Sequence, residues 1–229
     1  MAAPPARLLV VNGCEHTSAG EALGWPDHLA AELDVPLLNL AVPRASNRRI
    51  VRTTTARLVD EVLSRGLTPE DVLFVAMFTE LDRVEVGIEP RRRRSRRSSA
   101  DPWRTIDRGA LRADDHQAQS WYAHLHHPVS DLVDLLLSVA LLGCWLDRLR
   151  CRHVFALTEG WTVPPGAEAI ARTYSDRIEP GWVLGGTLDA WPRTALLDST
   201  GTTGAPAPPA VHRSWVDRLL VPYVREAGW

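Results

Sequence analysis

The chain predicts an α/β fold, a three-layer sandwich with a parallel central sheet between two helical layers. Three observations carry that expectation. Short apolar runs of strand length alternate with longer segments of helical periodicity. The run Val72 to Phe78 is wholly apolar, as a strand covered on both faces must be. Of the 229 residues, 45% are hydrophobic, which suffices for a large core in one domain spanning 1–229.

Each element has a local reason. Arg7 to Asn12 reads as a buried strand, Trp25 to Leu33 as a short helix and Pro36 to Ala41 as a second strand, together a β-α-β unit. Asn47 is a candidate cap for a helix to about Arg65, with Ile50, Thr54, Leu58 and Val62 on one face and Gly66 beyond its end. Thr68 to Asp71 turns the chain into Val72 to Phe78, a strand that can extend irregularly to Val86. Residues 90–102 are arginine and serine with little to bury, and are expected to be mobile. Ser130 and Asp131 open the most apolar helix, which ends near Arg150, and His153 to Thr158 supplies a fourth strand. Ala167 to Ser175 is a candidate helix, Thr200 to Pro209 a loop, and Ala210 to Glu226 a helix kinked at Pro222.

Composition removes several function classes. All 26 basic residues are arginine, so Schiff-base lysines and a phosphate-loop lysine are excluded. Cys14, Cys144 and Cys151 are too few and too irregular for a disulfide scaffold, which points to a reducing, cytoplasmic setting. No leader-like segment is visible. The stretch Leu132 to Leu146 carries Asp134 and falls short of the roughly 18 residues of a spanning helix, so no membrane association is expected. The formal charge of −2 names no partner. Arg91 to Arg97 holds six arginines in seven residues, either an exposed loop or a site for an acidic partner; nucleic acid is not expected without a wider basic surface or a stacking module.

In a parallel sheet ligands bind beyond the carboxyl ends of the strands, which selects Cys14 to Thr17, Pro43 to Asn47, Thr79 to Glu85 and Glu159 to Trp161. His116, His124, His126 and His127 have no metal-ligand spacing and read as a solvated edge, although one of them can reach the cleft as an acid or base. Neither a metal site nor a cofactor motif is visible. Trp103, Trp121, Trp161, Trp182 and Trp191 fall in irregular segments that are candidates to rim an apolar pocket.

Four blocks occur in order: Gly13-Cys14-Glu15-His16-Thr17; Asn39 with Pro43-Arg44 and Ser46-Asn47-Arg48-Arg49-Ile50; Phe78-Thr79 with Arg83 and Glu85; and His212 with Trp215. Together they cover most of the chain, and they resemble the SGNH/GDSL hydrolase superfamily, in particular a bacterial and phage branch of it. The resemblance implies a flavodoxin-like sandwich with Glu15 at the position of the nucleophilic serine and His212 as the site histidine. It also marks departures. Arg44 stands where a glycine amide helps hold an oxyanion, Thr79 where an asparagine is usual, and Pro209 where an aspartate orients the histidine.

Ester hydrolysis does not follow from the resemblance, because an acyl adduct on Glu15 would be an anhydride. The expectation is an enzyme acting on a small organic molecule through Glu15 and His212 as an acid/base pair. An arginine- and alanine-rich composition, which fits a GC-rich genome, suggests a tailoring step in specialised metabolism. Cys14, His16, Arg44, Ser46, Asn47, Thr79, Arg83 and Trp161 are the candidate substrate contacts. Two alternatives stand beside it: a catalytically silent protein that binds a ligand or partner, with Glu15 as a capping anion, and a divergent ester hydrolase or acyltransferase.

Overall fold

A computed structural model describes residues 5–18, 23–87, 103–107, 115–158, 163–179, 181–187 and 209–228. Its strands are β1 (Leu8–Asn12), β2 (Leu37–Asn39), β3 (Val72–Phe78), β4 (Val84–Gly87), β5 (Trp103–Ile106), β6 (Arg152–Leu157) and β7 (Val183–Thr187). Its helices are α1 (Trp25–Leu33), α2 (Asn47–Leu63), α3 (His116–His124), α4 (Pro128–Arg148), α5 (Glu168–Ser175), α6 (Pro209–Trp215) and α7 (Val221–Glu226).

Five strands form one parallel sheet in the order β2-β1-β3-β6-β7. The expected three-layer α/β sandwich is what the chain adopts. This is the doubly wound, flavodoxin-like order, whose direction of winding reverses between β1 and β3 and so leaves a crevice at their carboxyl ends. Alternation along the strands divides the core in two. Val10, Phe74, Ala76, Phe78 and Phe155 pack with Ile50, Leu58 and Val62 of α2 and Leu135, Val139 and Leu142 of α4. Leu9, Val11, Val75, Met77 and Ala156 face the other way, onto Trp25 and Leu29 of α1 and Val211, Trp215 and Leu220. Helix α4 is the one described helix long and apolar enough to cross a membrane, which the shorter run Leu132 to Leu146 had not suggested. Its apolar face nevertheless forms part of the core, with Leu132, Leu136 and Leu146 buried.

Several expectations are corrected. Ser46, not Asn47, caps α2, its hydroxyl accepting the Arg49 amide at 3.1 Å. Asn47 is occupied elsewhere, as described below. Helix α4 begins at Pro128 with His127 as its cap, because proline at the first helical position has no amide to satisfy. The chain leaves the sheet after Phe78, and β4 pairs antiparallel with β5 as a separate hairpin. A fifth parallel strand, β7, follows where four were expected. The final helix is interrupted by a π-helical turn at Val216–Leu220, one residue ahead of Pro222. The wider turn accommodates a residue that can neither donate nor fit inside a regular helix. Trp182 is no rim residue: it is buried against Phe155 and His153. Its indole lies over Gly143 of α4, where an added Cβ would sit 2.4 Å from the ring. Trp161, Trp191, Arg91 to Arg97 and the segment 90–102 lie outside the described residues.

The hairpin carries its own small apolar cluster, Val84, Ile106 and Ala118 with Val86, Trp121 and Tyr122 around it. Polar contacts fasten it to the body. Arg52 of α2 grips Glu85 through two hydrogen bonds of 3.2 and 2.7 Å and lies over the Trp103 ring. The Tyr122 hydroxyl donates to the Asp82 carbonyl at 2.8 Å.

Candidate functional site

The turn after β1 is set by Gly13, where any Cβ would collide with the Thr17 side chain. The Thr17 and Ser18 amides return to the Cys14 carbonyl at 3.0 and 2.8 Å. Asn12, at the strand's end, anchors α2: its amide donates to the Ile50 carbonyl and to the Thr53 and Thr54 hydroxyls. Asn39 likewise donates to the Thr17 carbonyl at 2.7 Å. The turn therefore presents Glu15 at a fixed place over the crevice between β1 and β3.

Arg83, arriving from the far side of β3, meets Glu15 with both terminal nitrogens, one at 2.6 Å. The Arg44 amide donates to the same carboxylate at 3.1 Å. Arg83 also pairs with Glu80 through Nε, and its side chain is only 7% exposed; that of Glu15 is 16% exposed. Burial pushes the Glu15 carboxyl upward, but the Arg83 hydrogen bonds and charge, with the Arg44 amide, outweigh it and hold the group at about 2. Burial likewise lowers Arg83, yet Glu15 and Glu80 carry it above its ordinary value. Glu15 is thus an ionised, saturated carboxylate at neutral pH, and a group so acidic is a weak proton acceptor there.

Arg44 is fixed at both ends. Its backbone is left-handed, φ +60°, an arrangement that disfavours a side chain by about 1–2 kcal/mol. That turn aims its amide at Glu15, while its guanidinium holds Asp107 of the hairpin through two 2.8 Å hydrogen bonds.

His212, on α6, is 4% exposed. Its Nδ1 accepts the Trp25 amide, the first of α1, at 3.1 Å. An acceptor at Nδ1 places the neutral ring's proton on Nε2, by the logic of the hydrogen bond. A histidine that takes a proton at Nε2 while an orienting carboxylate holds Nδ1–H needs the opposite tautomer. His16 lies beside it, ring centroids 6.4 Å apart. The Glu15 carboxylate, expected to share a proton with His212, takes its hydrogen bonds from Arg83 and the Arg44 amide, while His212 Nδ1 takes the Trp25 amide.

The remaining candidates have definite places. Cys14 is fully buried, and its thiol is pushed up to about 11 by burial and by Glu15, only partly offset by Thr79, a backbone amide and Arg83. It is a thiol, not a thiolate, at neutral pH. Asn47 pins the end of β3, its carbonyl accepting the Thr79 amide at 2.8 Å and its amide donating to the Thr79 carbonyl at 3.2 Å. Ser46 is the helix cap described above.

Sequence reasoning did not find Glu80, Asp107, Thr158 or the Arg52–Glu85 pair. A usable signal existed for one feature: Arg48 and Arg52 stand four apart on α2, one helical face, and pair with Asp134 and Glu85. Of the four histidines, His116, His124 and His127 are exposed. His126 lies 2.7 Å from Asp131 and packs on Tyr122. Burial, with Asp82 and Asp134, raises Asp131, and His126 opposes them. Among the described residues no group of three or more His, Cys, Asp or Glu is placed to hold a metal.

Fold and site together define a doubly wound α/β protein with an ion-paired carboxylate at the carboxyl-end crevice. The chain belongs to a family of unknown function, DUF6071, whose model matches residues 12–227. No curated protein matches it.

Proposed function

We propose that the protein is a cytoplasmic, catalytically silent binding protein on an SGNH-like scaffold, taking a small molecule in the crevice beyond β1, β3 and β6. One observation carries the reading: the Glu15 carboxylate at the nucleophile's position is saturated by Arg83 and the Arg44 amide. The Nδ1 acceptor role of His212 and the buried thiol of Cys14 support it, since both remove the usual routes to an activated nucleophile. The acid/base enzyme is the weaker reading, because a carboxyl held at about 2 gives little proton-transfer driving force near neutrality.

The test is an activity screen with p-nitrophenyl esters and glycosides, run beside a thermal-shift screen of neutral metabolites. The binding reading expects no turnover by the parent and saturable stabilisation by a neutral compound. Turnover by the parent that is lost in both Glu15→Gln and His212→Gln, with the fold retained, would establish the acid/base enzyme instead.

A further inference from the structure

Two threonines stand side by side where the central strands end. Phe78 and Leu157 are register partners on β3 and β6. The Thr158 amide extends that ladder by donating to the Phe78 carbonyl at 2.9 Å. Thr79 and Thr158 therefore occupy adjacent positions on neighbouring chains, about 4.8 Å apart by ordinary strand spacing. Alternation sends both side chains to the face of Met77 and Ala156, the layer built by α1 and α6.

Both residues are almost wholly buried, Thr79 4% and Thr158 3% exposed. Neither hydroxyl meets hydrogen-bond geometry with a described residue, and the Thr79 hydroxyl has the weakly bonding Cys14 thiol beside it. A buried hydroxyl left without a partner is costly, and two adjacent ones at the ligand-binding end of a sheet are an unusual expense for a fold to carry without use. The backbone at Thr79 is held by Asn47, so the hydroxyl is presented on a rigid frame.

We propose that Thr79 and Thr158 form a subsite for a neutral oxygen-bearing group of the ligand, an amide carbonyl or an alcohol. Two hydroxyls at adjacent strand positions on one face can both reach one ligand oxygen, and each can donate or accept. The nearby charges are already matched, Arg83 by Glu15 and Glu80, and Arg44 by Asp107. An incoming anion would face the Glu15 carboxylate, and an incoming cation would compete with Arg83 for it. The assignment rests on the binding reading above and names the ligand class it accepts.

The test follows the γ-methyl NMR signals of threonine-labelled full-length protein during titration with acetamide, with sodium acetate as the charged counterpart. Saturable shifts of both methyls with acetamide, and none with acetate, are expected. In Thr158→Val the Thr79 response should weaken about three- to tenfold, the worth of one hydrogen bond. Valine keeps the shape, so Thr79→Val and Thr158→Val should melt no lower than the parent. Unmoved methyls, equal responses to acetate, or lowered melting of both variants would overturn the subsite. A neutral ligand that stabilises parent and both variants equally would also overturn it while leaving the binding reading intact; ester turnover by the parent would strike the binding reading alone.

Discussion

Replacing Glu15 by glutamine keeps the side chain's shape and removes its charge from between Arg83 and the Arg44 amide. The magnitude follows from the carboxyl's displacement. Moving a glutamate from about 4.5 unfolded to about 2 folded corresponds to about 3 kcal/mol at pH 7. Arg83 retains Glu80, which limits the loss below the 3–5 kcal/mol typical of a broken buried pair. Because the folded value is depressed, the stabilisation is fully present above the unfolded value and is lost as pH falls through the folded one. At pH 3 about two-fifths of it should remain. Urea denaturation of parent and Glu15→Gln at pH 7 and pH 3 measures both numbers, provided the m-values agree. A difference under about 0.5 kcal/mol at pH 7, or one that does not shrink at pH 3, would refute the reasoning.

Three further outcomes follow from the packing. Gly143→Ala drives a methyl into the Trp182 ring and should cost about 1–3 kcal/mol, read as a melting temperature lower by about 3–10 °C. His153 is buried between Phe155 and Trp182, and burial holds its pKa below the ordinary value against the opposing Cys151 carbonyl and Asp147. Its neutral form therefore stabilises the fold above the unfolded value of about 6.5, and that stability is lost as pH falls below it. A His153→Phe variant should show a shallower decline in denaturant midpoint between pH 6.5 and 5, and an unchanged slope would contradict the assignment. Arg52→Ala leaves the buried Glu85 of β4 without its guanidinium, so hydrogen exchange should accelerate in Val84–Gly87 and Trp103–Ile106 while β3 keeps its protection.

The parts of the fold legible in the sequence were those written as periodicity. Ile50, Thr54, Leu58 and Val62 recur at helical spacing and are all buried on α2, and the unbroken run Val72 to Phe78 is the central strand. The parts that were not legible depend on partners remote in sequence. β7 contains two glycines and takes its strand character from pairing with β6, and the β4–β5 hairpin depends on Arg44, ahead of α2, and on Arg52 of α2. Asn47 looked like a cap because its type suits one, but its amide matches both backbone groups of Thr79, leaving the cap to Ser46. The site shows the same division. Glu15, Arg44, Arg83 and Thr79 were singled out by position beyond the strand ends, and they do gather there. What Glu15 does at that place was set by Arg83, 68 positions away, a pairing no local pattern announces.

Everything proposed for the crevice requires Glu15 to be an ionised, ion-paired carboxylate. The most direct measurement is its titration by carboxyl ¹³C NMR in protein labelled at glutamate, with Glu15→Gln used to assign the signal. The Arg83-bound carboxylate is expected to titrate with a midpoint of about 2. A midpoint between about 5 and 7, the range of carboxylates tuned for proton transfer, would contradict it and return Glu15 to the role of a general base.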